Sequence, residues 1–165
     1  MNRQRALEFL RNNQPLPDDN GITQEVIDEY DEVRKFFLEN PNRESLSLFF
    51  GSFGKGGGLG IYQLIEDTIL THDPEDVVPE LALALKTGTE ESKYWCAQIA
   101  SNFPDERLIE GLQISLECEN VDIREAAVTA LECIGGIKVV KLLKEQLLKE
   151  NDKGVKELIE DVLAP

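Results

Sequence analysis

Apolar residues in this chain recur not only at helical spacing but again 31 residues later, and few folds satisfy both periods at once. Val77, Leu108 and Val139 share one register, followed by Val78, Ile109 and Val140, then Leu81, Leu112 and Leu143, then Leu85, Leu116 and Leu147. A second register interleaves with it. Leu64, Trp95 and Ala126 open that series, Ile65, Cys96 and Ala127 follow, then Ile69, Ala100 and Leu131, and His72, Phe103 and Ile134 close it. Two registers per period imply two helices per unit. A period between about 20 and 50 residues marks stacked units, none of which can bury its apolar face without a neighbour.

The period divides the chain into a helical cap at residues 1–41, a first and divergent unit at 42–72, and further units at 73–103, 104–134 and 135–165. Helices are expected over residues 2–13, 23–39, 42–50, 61–71, 74–86, 90–102, 105–117, 121–133, 137–149 and 154–163. Their starts are punctuated by Asp73-Pro74, Thr89, Asn120 and Asp152, and Pro104 and Gly135-Gly136 break between them. Connections of a few residues make sequential helices antiparallel neighbours. Pro79, one turn inside its helix, should kink it or move its start to Val78. The segment PLPDDNG at 15–21 reads as a loop. GSFGKGGGLG at 51–60 reads as a flexible connector that offsets the first helix pair, or as a mobile binding loop with Phe53 and Leu59 as anchors.

Little in the chain suggests catalysis. The single histidine, His72, sits where other units carry Phe103 and Ile134, so it reads as a partly buried packing residue. One histidine and three cysteines without a CxxC pair cannot assemble the usual zinc or iron ligand sets, so no metal or cofactor is expected. Cys96 takes the place of Ala127 and reads as a small core residue, and the odd cysteine count points to a reducing, cytoplasmic setting. Neighbouring carboxylates such as Glu66-Asp67 and Glu90-Glu91 do not face one another on a helix. Gly54-Lys55-Gly56 fails the phosphate-loop pattern, because Lys55 is followed by Gly56 and no strand precedes it. No catalytic residue is therefore assigned.

The formal net charge is -15, from 32 acidic and 17 basic side chains. Such a field repels a nucleic-acid backbone and attracts basic partners. No basic stripe is present for phosphate contacts, so nucleic acid is not expected as a partner. No apolar run approaches the roughly 20 residues of a membrane span, and no membrane partner is expected either.

With these residues in hand, NVDIREAAVTALECIGG at 120–136 resembles the second helix of a HEAT repeat, with Asp122, Arg124, Ala126, Ala127, Ala130 and Leu131 at the characteristic places. The segment 91–112 matches more loosely, Lys93 standing for Arg124 and Trp95 for an alanine. The resemblance spans about residues 61–165. It implies an all-α, right-handed α-solenoid of antiparallel helix pairs, and an exposed ladder in which the basic residues Lys93, Arg124 and Lys156 pair with acidic residues of neighbouring units, among Glu91, Asp122 and their neighbours. Less specifically, the Gly-rich stretch before GIYQLIED and the later YWCAQIA are similar to HEAT-like immunity proteins of bacterial polymorphic toxin systems. In such a solenoid the second helices line a groove. Stepping by 31 then puts Gln63, Tyr94 and Glu125 in one row and Asp67, Gln98 and Thr129 in the next, extended by Glu157 and Glu160. The expected partner-binding set is Gln63, Asp67, Tyr94, Gln98, Glu125, Thr129 and Glu160, with Phe53 from the glycine loop, and the expected partner is a protein with a basic surface. The alternative is an enzyme or enzyme-associated protein with a small-molecule pocket between the cap and the groove.

Overall fold

A computed structural model describes residues 1–164, and these are all-helical. The last expected unit, 135–165, ends on Pro165, which lies outside the described residues. Ten α-helices are present among the described residues: α1 Arg3–Asn12, α2 Gln24–Glu39, α3 Arg43–Ser52, α4 Ile61–Ile69, α5 Pro74–Thr87, α6 Glu90–Ala100, α7 Ile109–Leu116, α8 Val121–Ile134, α9 Gly136–Lys149 and α10 Lys153–Leu163. Short 3-10 turns at Gly58–Gly60 and Glu106–Leu108 lead into α4 and α7. No helix among them is long and apolar enough to cross a membrane.

The starts follow from capping chemistry. The side chains of Asn2, Thr23, Asn42, Asp73, Thr89, Asn120 and Asp152 each accept a backbone N–H of the first turn that follows, a contact worth about 1 kcal/mol apiece. Three helices start without one: α7 continues directly from the 3-10 turn that the Asp105 side chain caps, and the other two follow glycines. α4 follows Gly60 at φ +95° and α9 follows Gly135 at φ +65°, backbone that a β-carbon would strain. Pro79 neither moves the start of α5 nor interrupts it: the helix runs from Pro74 to Thr87. Pro79 and Glu75 are both exposed, so water can serve the Glu75 carbonyl that the proline leaves without a donor.

Consecutive helices contact each other within the pairs α1/α2, α3/α4, α5/α6, α7/α8 and α9/α10. Odd-numbered helices also touch in order, α1 to α3 to α5 to α7 to α9, and α2 meets α4 while α6 meets α8 and α8 meets α10. Residues 1–41 thus supply a helix pair that joins the same two series. The repeating apolar positions form the core: Val77, Leu108 and Val139 are buried, as are Leu81, Leu112 and Leu143, and Ile65, Cys96 and Ala127. Each fully buried leucine or isoleucine is worth about 1.5–3 kcal/mol. His72 is buried as expected; its Nε2 accepts the Asn42 N–H at 3.2 Å, so Nδ1 carries the proton and donates to the Thr68 carbonyl at 3.1 Å. The ring fastens the end of α4 to the start of α3.

Of the expected ladder, only Arg124 pairs with an acidic residue of a neighbouring unit, and that residue is Glu150 rather than Glu91 or Asp122. Arg124 turns away from Asp122 and makes a two-bond ion pair with Glu150, Nε to Oε2 and Nη2 to Oε1, both 2.9 Å. It also donates to the carbonyls of Cys118 and Glu119, while Glu150 accepts Gln146 Nε2 and the N–H groups of Asn151 and Asp152. Lys93 and Lys156 take part in no ion pair among the described residues. The resemblance placed Arg124 against an acidic residue of a neighbouring unit, as an exposed pair. The fold instead puts Glu150, whose side chain is 1% exposed, at the junction of α7, α8, α9 and α10, where the Arg124 guanidinium neutralises it. Burial pushes the Glu150 carboxyl up, but its hydrogen bonds to Arg124, Gln146 and the two amides outweigh that and hold it at about 2.

The glycine stretch is not a loose connector. The Tyr62 hydroxyl accepts the Gly54 N–H at 2.8 Å, the Asp19 carboxylate accepts the Gly57 N–H at 3.1 Å, and the Leu16 N–H donates to the Ser52 carbonyl at 3.0 Å. A β-carbon on Gly58, at φ +58°, would lie 2.8 Å from the Tyr62 ring, and one on Gly56, at φ +92°, would lie 2.7 Å from the Asp19 carboxylate. The glycines therefore let the backbone close tightly over one tyrosine and against the 15–21 loop.

Arg124→Met should lower stability to urea by about 3–5 kcal/mol, because it leaves a buried carboxylate without its cation. Glu150 has a folded-state value of about 2 against about 4.3 in an unfolded chain, so its contribution is complete above the unfolded value and is lost as pH falls through that window. Glu150→Gln should accordingly show a shallower loss of stability between those values than the unmodified chain, and an equally steep loss would contradict the assignment. Tyr62→Phe leaves the Gly54 amide without its acceptor and should cost about 1–3 kcal/mol, with faster hydrogen exchange at Gly54 as the local readout.

Candidate functional site

The expected partner-binding residues lie on the even-numbered helices. Gln63 and Asp67 project from α4, Gln98 from α6, Thr129 from α8 and Glu160 from α10, all exposed, and Tyr94 on α6 and Glu125 on α8 are half-buried. Helical geometry sets this pattern, since residues four apart share a face. The same α4 turns Ile61, Tyr62, Ile65 and Ile69 inward.

Three of these side chains are already engaged. The Gln98 amide donates to the Tyr94 hydroxyl at 3.1 Å, and the Tyr94 ring meets the Trp95 ring edge-on at 5.5 Å between centroids. That holds Tyr94 in one orientation, and an aromatic side chain fixed before binding loses little entropy on association. The Thr129 hydroxyl donates back to the Glu125 carbonyl, while the Glu125 carboxylate lies near Gly154, where an added β-carbon would sit 3.2 Å from it. Glu125 thus reaches across to the start of α10.

Phe53 does not belong to this surface. It is 1% exposed and stacks on Trp95 at 5.6 Å with the rings 11° from parallel, while Tyr62 closes edge-on against both, at 5.3 Å and 5.4 Å. A residue that helps fill the core cannot anchor a partner, so the expectation for Phe53 is corrected. Leu59, its companion in the loop, is exposed at φ +49°. Trp95 is half-buried, at the border between the aromatic group and the face that carries Tyr94.

The aromatic group also sets the spacing of the helices. α6 and α8 pack against each other, with Ala126 and Ala127 of α8 buried, whereas α4 finds its neighbours in α2 and α3. A bridge from the Asn102 amide to the Glu66 carboxylate, 3.2 Å, links α4 with the end of α6. Burial pushes the Glu66 carboxyl above the usual range, its bond to Asn102 pulling the other way and the neighbouring Asp67 charge adding to the rise. Neither the motifs nor the 31-residue period revealed this cluster; the only sequence signal was Trp95 standing where Ala126 stands one unit later.

Elsewhere, ionisable groups serve packing. The Tyr30 hydroxyl is pushed well up by burial and donates to Ser52 Oγ at 2.7 Å, and the Cys96 thiol is raised by burial alone. Cys96, Cys118 and Cys133 are free thiols, and no group of three or more His, Cys, Asp or Glu among the described residues is placed to hold a metal ion. A cleft of about 250 Å³ opens between α3, α5 and the loops at Pro15 and Thr89. Phe50, Phe53, Leu83 and Ala84 line its walls, with Ser47, Glu80 and Ser92 at polar positions. No family model matches the chain, and no curated protein matches it.

Proposed function

We propose that the chain is a non-catalytic protein-binding scaffold, built as a right-handed HEAT-like α-solenoid of antiparallel helix pairs, whose partner presents a basic surface. The observation that carries this reading is the exposed set Gln63, Asp67, Gln98, Thr129 and Glu160, with Tyr94 and Glu125 half-buried among them, on a chain of net charge -15. The two series of helix contacts support the solenoid reading, since odd helices touch odd and even touch even at most steps. Tyrosine is among the residues that dominate binding hot spots, and Tyr94 is already immobilised by Trp95 and Gln98. In its sharpest form the scaffold is a cytoplasmic immunity protein that occludes a cognate toxin, its carboxylates taking the place of the toxin's nucleic-acid substrate. A second reading draws on the 250 Å³ cleft: an enzyme-associated HEAT-like protein that holds a small apolar molecule between α3 and α5, which native mass spectrometry of the purified protein would detect as a bound mass.

Affinity capture separates the readings. Protein immobilised at low salt should retain a basic protein from the lysate of its source cells until the salt is raised, because screening weakens long-range attraction. Reversing Asp67, Glu125 and Glu160 to Lys should weaken that binding at least tenfold and slow association while leaving the helical signal unchanged, as rim charges act mainly on association rate. Unaltered affinity in the folded triple variant would overturn the assignment of this face.

A further inference from the structure

Neighbouring odd-numbered helices are tied at their ends by ion pairs. Glu75 of α5 meets Arg107 at 3.1 Å, Lys86 of α5 meets Glu110 of α7, Glu106 meets Lys138 of α9 at 2.8 Å, and Glu117 meets Lys149 of α9. The charges that face the next helix thus stand at positions 75 and 86, and again 31 residues on at 106 and 117. One further period gives Ile137 and Leu148, which are 90% and 89% exposed. Between them Val140 occupies the register of Val78, which is buried, and of Ile109, which is half-buried, yet it is 41% exposed. The outer face of α9 has therefore exchanged the end charges of its predecessors for apolar side chains, with nothing among the described residues on top of them. A face that ended a stack would be expected to become more polar at these positions.

The local charge is also unusual. α9 holds four lysines and one glutamate, and residues 136–165 carry six lysines against six acidic residues, so the -15 resides entirely in the rest of the chain. Lys144 has no carboxylate within ion-pair distance among the described residues, and Lys141 reaches only Glu145 of its own helix, at 3.9 Å. These two lysines lie with Ile137, Val140, Leu148 and the single carboxylate of Glu145 along one shallow groove, which is therefore net positive.

We propose that the outer face of α9 binds an amphipathic helix of another protein, about three turns long, apolar near both ends and acidic between them. The length follows from the separation of Ile137 and Leu148, about 16 Å along the helix axis. The charge follows from Lys141 and Lys144, which lie between the two apolar ends and lack partners from other helices. A second copy of this chain is a poorer occupant. Two α9 helices meeting antiparallel would set Lys141 against Lys144 of the other copy, and like charges brought together disfavour docking. The acidic α2 keeps Tyr30, Val33 and Phe37 inward, and Val26, Ile27 and Phe36 near its ends are packed against the core, so it has no free apolar ends to offer.

Two labelled helical peptides test the proposal: one with leucines near both ends and glutamates between, the other identical but with lysines for the glutamates. Titrated against the full chain by fluorescence anisotropy at low salt, the acidic peptide should bind roughly tenfold tighter or better, a difference of about 1.4 kcal/mol. Lys144→Glu should reverse that preference, and Ile137→Ser combined with Leu148→Ser should weaken binding of the acidic peptide by a similar factor. Ile137, Lys144 and Leu148 are exposed, so the variants keep the fold, which circular dichroism checks. Equal affinity for the two peptides, binding of neither, or indifference to Lys144→Glu would overturn the proposal. So would a dimer in sedimentation equilibrium that the Ile137→Ser, Leu148→Ser variant dissolves, since the face would then belong to a second copy.

Discussion

A pair of amphipathic helices eight to sixteen residues long cannot bury its apolar stripe on itself, and every other feature of this molecule depends on how that shortage is met. Each pair leaves one side open, and the next pair covers it with residues in the same register. Val77 and Leu81 on α5, Leu108 and Leu112 beside and on α7, and Val139 and Leu143 on α9 are therefore buried together rather than one by one. Stability of this kind is spread along the chain. What varies from step to step is the size of the side chains at the seam and the charges along its edge.

Seam size decides where a surface can form. Ala126 and Ala127 let α8 close on α6, but one unit earlier Trp95 and, from the loop, Phe53 meet Tyr62, and three rings need more room than alanines. The widened step is filled by the glycine stretch, whose lack of β-carbons allows its backbone to wrap the Tyr62 hydroxyl. Tyr94 sits at the edge of this group and is held there by Trp95. The face assigned to a partner is thus braced from behind by the least regular part of the fold.

Charge is sorted along the molecule. The helices up to α8 carry the whole of the net negative charge, whereas α9 presents lysines beside exposed isoleucine and leucine. A basic partner drawn to the even-numbered helices and an acidic helix on α9 would not compete, because opposite fields steer them to different ends. Arg124 and Glu150 sit between these regions, joining α8 to the turn between α9 and α10 by a buried pair.

The sequence by itself determined the helices, their capped starts and the core positions of the repeat, because helical period, capping and turn chemistry act over a few residues. Asp73-Pro74 and Thr89 start helices in the folded chain for the same local reason that marks them in the sequence. Exposure of Gln63, Asp67 and Gln98 was legible likewise, since each sits opposite the apolar stripe of its own helix. Only the tertiary structure decided that Phe53 is core, that Arg124 pairs with Glu150 rather than Asp122, and that Ile137 and Leu148 stand uncovered. Those outcomes rest on which side chains meet across gaps of some 26 to 42 residues, as Arg124 with Glu150 and Phe53 with Trp95 do, and no local rule carries that information. The resemblance to a repeat family pointed Arg124 to an acidic residue of a neighbouring unit on the surface. The acid that meets it is Glu150, buried at the next junction, where leaving either charge unpaired would be costly.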